Sequence, residues 1–283
     1  MERTVLVGVD GSAEALEAVA WAAREAHRRQ YRLALVSAYV MPPAEAAFGW
    51  PPDAIREDAR AVVRAARDRA LETAPGLEVT DSVIVDSPVS ALLRQAREAA
   101  MLVVGLRGRG GFPGLRIGSV AYRAAAHAPV PTVVVPGPVP EEDTEVVVGV
   151  SGTRRSDHVL AEAFEAATLG GKRLRAVRAW AEPILPSPGM RPLLYEPEAV
   201  EAVQARELAE ALQPWEERYP DVTVVRDVVE APPVVALGEA GATARLVVVG
   251  ARSSRGITRL ALGRVAHGLL HTATRPVMVV PVR

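Results

Sequence analysis

The chain of 283 residues contains no cysteine, which excludes disulfides, thiolate metal sites, iron–sulfur clusters and cysteine nucleophiles. Neither sign of charge is in excess, since 33 basic residues stand against 34 acidic ones for a formal net charge of −1. A chain-wide electrostatic footprint for nucleic acid or an anionic membrane is thereby excluded, while local basic patches remain open. Lys172 is the only lysine, a bias that a GC-rich genome explains and that carries no function. No apolar run approaches the roughly 20 residues that span a bilayer. Met1 to Arg3 lead straight into Val5-Leu6-Val7-Gly8-Val9, with no basic-then-apolar leader. The expectation is a cytoplasmic protein with no nucleic-acid and no membrane partner.

What the chain does have is a repeat. Thr4-Val5-Leu6-Val7-Gly8-Val9-Asp10-Gly11-Ser12 recurs as Glu145-Val146-Val147-Val148-Gly149-Val150-Ser151-Gly152-Thr153, an offset of 141. Leu102-Val103-Val104-Gly105 matches Val247-Val248-Val249-Gly250, and Pro131–Pro136 matches Pro276–Pro281, both at an offset of 145. A duplication of this period fixes the architecture as two related units. Between them, Pro136-Gly137-Pro138-Val139-Pro140-Glu141-Glu142-Asp143 reads as a short, stiff linker. The expected domains are residues 1–137 and 144–283.

Each half alternates short β-branched runs with helical patterns. In the first half the strand candidates are Val5–Val9, Leu33–Tyr39, Leu77–Val85, Met101–Val104 and Thr132–Val135. Between them, Leu16, Val19, Ala20 and Ala23 keep helical spacing, as do Ile55, Ala59, Val62, Val63, Ala66 and Ala70, and then Val89, Leu92, Leu93 and Ala96. Continuous apolar strands separated by amphipathic helices predict an α/β fold: two doubly wound, Rossmann-like, five-stranded parallel-sheet domains in tandem. A ligand in such a sheet sits beyond the carboxyl ends of the strands, where the winding reverses. If the fourth strand returns beside the first, Asp10 and Gly105 face one crevice.

After the fourth strand the chain runs Gly105-Leu106-Arg107-Gly108-Arg109-Gly110-Gly111-Phe112-Pro113-Gly114-Leu115-Arg116-Ile117-Gly118-Ser119-Val120, with a helix-like stretch over Ala121–Ala126. Six glycines in this window permit close backbone approach to a ligand. Free amides at the following helix N-terminus suit a phosphate. Ser119 offers a hydroxyl or a helix cap, and Arg107, Arg109 and Arg116 offer compensating charge. The alternative is a glycine loop that only turns the chain. Other phosphate motifs fit badly: Gly171-Lys172 is followed by Arg173, and Gly8-Val9-Asp10-Gly11 is not the dinucleotide fingerprint.

The pattern Gly105-x2-Gly108-x9-Gly118-Ser119, between the fourth strand and the last helix, resembles the nucleotide-binding signature of the universal stress protein family. The resemblance extends to Val7-Gly8-Val9-Asp10-Gly11-Ser12, to Gly108-Arg109-Gly110-Gly111-Phe112 and to His127-Ala128-Pro129-Val130-Pro131-Thr132-Val133-Val134-Val135. It covers nearly the whole chain twice, as in the tandem members of that family. It implies strand order 3-2-1-4-5 and, in the ATP-binding branch, bound ATP. Asp10 then resembles the acidic residue that approaches the nucleotide, and Ala38 falls where the family lines the adenine pocket. Gly105, Gly108, Gly118, Ser119 and Val120 match positions that hold ribose and phosphate. Asp-Gly-Ser is also good turn and cap chemistry, so Asp10 keeps that second reading. The resemblance further implies that Thr132–Val135 and Pro276–Val282 pair the two domains as a pseudo-dimer, with further association into a homo-oligomer.

The second half departs from the signature. Ser253 stands at the middle glycine position, Arg264 at the hydroxyl position and Ser151 where Asp10 was. Three changes in one constellation predict a lost or altered site, leaving the main ATP site in the first half. Catalytic constellations are thin. His267 and His271 are four apart and could bracket a metal, but Gly268 replaces the glutamate of a zinc-protease helix and no third ligand is evident. Asp10 could help hold magnesium on the phosphates. No general base with a partner is found, so no catalytic residue is assigned. The expectation is an ATP-binding stress or dormancy regulator that acts on a protein partner. The alternatives are a slow ATPase or adenine-nucleotide transferase, and a nucleotide-free interaction module.

Overall fold

A computed structural model describes residues 3–41, 52–110, 116–140, 145–151, 156–171, 173–181, 197–251 and 262–281. Gly111 to Leu115, Glu141 to Asp143, Gly152, Thr153, Lys172, Ser253 and Val282, which figure in the reading above, lie outside the described residues. The first half runs β1 (Thr4–Gly8), α1 (Ala13–Arg29), β2 (Arg32–Tyr39), α2 (Pro52–Thr73), β3 (Val79–Val85), α3 (Pro88–Gln95), β4 (Met101–Gly105), α4 (Ser119–His127) and β5 (Thr132–Val135). The second repeats it as β6 (Val146–Gly149), α5 (Asp157–Leu169), β7 (Arg173–Trp180), α6 (Pro197–Arg218), β8 (Thr223–Glu230), α7 (Pro233–Ala240), β9 (Leu246–Gly250), α8 (Arg264–Thr272) and β10 (Val277–Val280).

Local chemistry sets these boundaries. The Ser12 hydroxyl caps α1 by accepting from the Ala15 amide at 3.2 Å, and the helix ends where Gln30 turns to φ 55° and its amide reaches back to Ala26 and His27. Ser87 caps α3 with Pro88 in its first turn. The third strand starts at Val79 rather than Leu77, because Gly76 adopts φ +84° and the Leu77 amide closes a turn onto the Ala74 carbonyl at 3.2 Å.

Strand order within each half is the expected 3-2-1-4-5, every pairing there being parallel. The two predicted sheets are one: the order β3-β2-β1-β4-β5-β10-β9-β6-β7-β8 is continuous, and β5 and β10 pair antiparallel. Val133 and Met278, which correspond in the repeat, are register partners there, so a pseudo-two-fold axis passes between them.

The apolar strands are covered on both sides. Val5, Val7, Leu33 and Leu35 face α1 and α2, continuous with Val146, Val148 and Leu174 under α5, which contributes Phe164, and α6. Leu6, Leu102, Val104 and Val134 face α3 and α4, continuous with Val147, Val247 and Val249 under α7 and α8. Each such side chain, fully buried, contributes about 1.5–3 kcal/mol of transfer free energy. This two-faced burial holds the carboxyl ends of β1 and β4 side by side.

Candidate functional site

Because β1 winds to β2 on one side and β4 lies on the other, the loops after β1 and β4 diverge and open a cleft between them. Its volume is about 290 Å³. Asp10, Ala38, Gly105, Arg107, Gly108, Gly118, Ser119 and Val120 line it. Of the residues singled out from sequence, Arg109 does not line it; its guanidinium turns toward α2, 3.2 Å from Asp58. Arg116 also points elsewhere, with Nη1 3.5 Å from the His271 carbonyl in the second half.

The floor of the cleft is apolar. Val9, Val36, Leu92, Val104 and Leu106 contribute to it, and Pro88 closes one wall from the start of α3. None of these was singled out as a site residue, since each reads from sequence as ordinary core. Gly8 explains why α3 reaches so close: a Cβ there would stand 2.7 Å from Leu92 Cδ1.

The polar rim is built by Asp10. Its Oδ1 accepts from the Ser12 amide at 3.0 Å and from the Ser12 hydroxyl at 2.6 Å, and its Oδ2 accepts from the Arg109 amide at 2.7 Å. The carboxylate thus fastens the cap of α1 to the glycine loop. A Cβ at Gly108 would collide with Asp10 Oδ2, so a side chain there would require the carboxylate to move away from the Ser12 and Arg109 amides. Crowding at Gly105 comes from α1, since a Cβ would lie 2.8 Å from the Glu14 carbonyl group.

Opposite Asp10 stands the start of α4. Gly118 occupies the cap position with no side-chain hydrogen bond, and its amide donates to the Leu106 carbonyl at 2.8 Å. The first-turn amides of Ser119, Val120 and Ala121 therefore lie at a helix end that no side chain caps, where the helix dipole favours an anion. Arg107 lines the cleft but pairs with Glu14 at 3.2 Å. Both that pair and Arg109–Asp58 are solvent-exposed on the arginine side, 55% and 57%. Exposed pairs of this kind contribute about 0–1 kcal/mol, so an incoming anion exchanges with them at little expense.

The second half keeps the frame and alters the rim. Gly263 donates to the Ala251 carbonyl at 2.7 Å, matching Gly118 and Leu106, and a Cβ added at Gly149 would lie 3.0 Å from Leu237 Cδ1, as one at Gly8 would crowd Leu92. Arg264 begins α8 where Ser119 begins α4, and the Ser151 hydroxyl lies 3.3 Å from that of Ser156. On the same helix the rings of His267 and His271 are 4.6 Å apart, and among the described residues no group of three or more metal-ligating side chains gathers. Nor is any described helix long and apolar enough to cross a membrane.

The sequence model described as the universal stress protein family matches residues 1–136 and again residues 144–281. The universal stress protein Rv2005c of Mycobacterium tuberculosis is 34% identical over 288 residues, covering 97% of this chain and 96% of its own. A universal stress protein of Mycolicibacterium smegmatis is 34% identical over 293 residues, covering 99% and 97%. The crystal structure of a universal stress protein from Archaeoglobus fulgidus shares the fold at a TM-score of 0.73 and 14% identity, covering 99% of this chain and 98% of that one. The duplicated chain, with its two signature-bearing α/β halves joined in one sheet, belongs to the universal stress protein family.

Proposed function

We propose that this protein binds ATP in the cleft of its first half and acts as a nucleotide-dependent regulator rather than as a metabolic enzyme. The observation that carries the reading is the meeting, in one cleft, of an apolar floor and a helix N-terminus with no side-chain cap, beside Arg107. An aromatic base suits the floor around Val36, Ala38, Pro88 and Leu92. Phosphates suit the amides of Ser119 and Val120 and the serine hydroxyl, with Arg107 and Arg109 released from Glu14 and Asp58 to meet them. The cleft volume lies near the lower end of the range of about 300–1,000 Å³ for ligand pockets, which suits a nucleoside inside and phosphates along the rim.

In this reading residues 1–137 form the nucleotide-binding domain and residues 144–283 a domain whose site is altered by Ser151, Ser253 and Arg264. Magnesium would be held chiefly by phosphate oxygens, with Asp10 the nearest carboxylate of the rim. No general base is assigned, and ATP serves as a ligand that a protein partner in the cytoplasm reads. Calorimetric titration is expected to give one ATP site per chain; two equivalent sites would refute the inequality of the halves.

A second reading, a nucleotide-free interaction module, is favoured by one observation: Asp10, Arg107 and Arg109 already satisfy one another or nearby groups. Mass spectrometry of small molecules released from protein purified without added nucleotide separates the two. Adenine nucleotide supports the first reading, and its absence together with no binding on titration supports the second.

A further inference from the structure

Glu25 is fully buried near the end of α1, and its carboxylate is held from both halves of the chain. Oε1 accepts from Arg29 Nε at 2.7 Å, one turn along the helix, and Oε2 accepts from Nη1 of Arg245 at 2.8 Å, just before β9. Arg245 also donates through Nη2 to the Ala166 carbonyl of α5 at 2.7 Å. Arg29 reaches Glu165 of α5 at 3.0 Å and Glu162 at 4.0 Å. Burial alone would push the Glu25 carboxyl up, but Arg245 and Arg29 outweigh it and hold the group below the ordinary carboxylate range.

The cluster is one-sided. Val5 pairs with Leu33 as Val146 pairs with Leu174, so α1 and α5 correspond throughout at the offset of 141. Glu25 therefore corresponds to Ala166, Arg29 to Gly170 and Arg24 to Glu165. Ala100 corresponds to Arg245, because their amides donate to the equivalent carbonyls of Thr4 and Glu145, both at 2.9 Å. Across the seam Glu25 faces Arg245, and Arg29 faces Glu165 and Glu162, while Arg245 also packs on Ala166 and Gly170 of its own half. Gly170 belongs to the fit, since a Cβ there would lie 2.5 Å from Nε and Nη2 of Arg245.

We propose that this cluster makes the seam selective for unlike halves: the first-half face accepts a second-half face and refuses a copy of itself supplied by another chain. Two first halves would set Glu25 against Ala100 and bring Arg29 up to Arg24 of the copy. Two second halves would set Arg245 against an alanine, Ala166 of the copy, where Glu25 stands in the natural seam. Each arrangement loses the Glu25–Arg245 pair, the first leaving Glu25 only the arginines of its own helix, Arg28 and Arg29, and removing one partner of a buried ion pair is strongly destabilising. Backbone pairing of the last strands offers no such discrimination, because those hydrogen bonds are the same whichever half supplies them.

The test uses the register pair on the pseudo-axis. Val133 faces Met278 when unlike halves pair, but two copies of Val133 would face each other if first halves paired. The natural chain has no cysteine, so a full-length Val133→Cys variant carries one thiol. It is unfolded, refolded at high concentration, oxidised and run on a non-reducing gel. With the charges intact it is expected to stay uncross-linked. Adding Glu25→Gln, Arg29→Gln and Arg245→Met, which removes the three buried charges of the seam, is expected to raise the cross-linked dimer at least about tenfold, because none of them then opposes like-with-like pairing. Glu25→Ala with Arg29→Gly and Arg245→Ala, which copies the counterpart residues Ala166, Gly170 and Ala100, is expected to do the same should the first combination fail to fold. Equal cross-linking with charges intact and removed, whether high or negligible, overturns the proposal.

Discussion

The backbone amide of Arg109 donates to the Asp10 carboxylate at 2.7 Å, joining loops that lie 99 residues apart in sequence. Removing that carboxylate frees the glycine loop from the cap of α1. Asp10→Ala is expected to weaken ATP binding at least about tenfold while lowering the unfolding free energy by about 1–2 kcal/mol, the loss for donors left without their acceptor. Titration calorimetry and urea unfolding measure the two effects separately. Unchanged affinity would remove Asp10 from the site.

Two neighbouring glycines are expected to respond oppositely. At Gly108 an added methyl collides with Asp10 Oδ2, whereas at Gly110 it would meet nothing within 4 Å among the described residues. Gly108→Ala should displace the loop and reduce ATP affinity at least about tenfold, while Gly110→Ala should leave it within about twofold and add a few tenths of a kcal/mol of stability by restricting the unfolded chain. Equal effects at the two positions would contradict the close approach described here.

In the proposed binding mode Asp58 would compete with a nucleotide phosphate for Arg109. Freed from the 3.2 Å pair, the guanidinium becomes available to the cleft, so Asp58→Asn is expected to tighten ATP binding about two- to fivefold with a stability change under about 0.5 kcal/mol. Arg109→Gln should weaken binding by a similar factor. If Asp58→Asn leaves the affinity of ATP and its dependence on salt unchanged, Arg109 takes no part in binding.

Acid should loosen the second half before it reaches the carboxylates. Burial, then His267 and Arg116, hold the His271 imidazole below its ordinary value of 6.5. Its folded pKa is lower than its unfolded one, so the stability it contributes is present above about 6.5 and is lost as pH falls toward the folded value. Glu25 acts in the same direction at lower pH, being held below the ordinary carboxylate value of 4.5 by Arg245 and Arg29 against burial. Thermal midpoints followed from about pH 8 to about pH 5 should fall more steeply for the natural chain than for His271→Gln. Parallel profiles would show that this imidazole does not titrate differently on folding.

Much of the frame was legible because it is local or repeated. Alternating apolar runs and helical spacings located the strands to within about two residues, and the recurrence of Val5-Leu6-Val7-Gly8 as Val146-Val147-Val148-Gly149 implied two equivalent halves. The cleft's glycines and Asp10 were legible as a spaced pattern. The apolar floor was not, because Val36 and Leu92 look like any core residue until the tertiary contact forms. Orientation of the arginines was equally hidden: Arg107, Arg109 and Arg116 sit in one loop, yet one lines the cleft, one turns to Asp58 and one reaches His271. Least visible was the burial of Glu25, since a glutamate in an alanine-rich helix reads as a solvent-facing residue and its partner Arg245 is 220 positions away.

The antiparallel meeting of β5 and β10 has a consequence for dosage. A single-domain chain that pairs through its last strand must find a second molecule, so the fraction paired rises and falls with its abundance. Here both strands belong to one polypeptide and the encounter is intramolecular, with an effective concentration set by the linker rather than by the cell. The ten-stranded sheet should therefore persist however few copies are made. Its outer edges, β3 and β8, present Asp81 and Arg226 to solvent, charges that discourage further strands from joining.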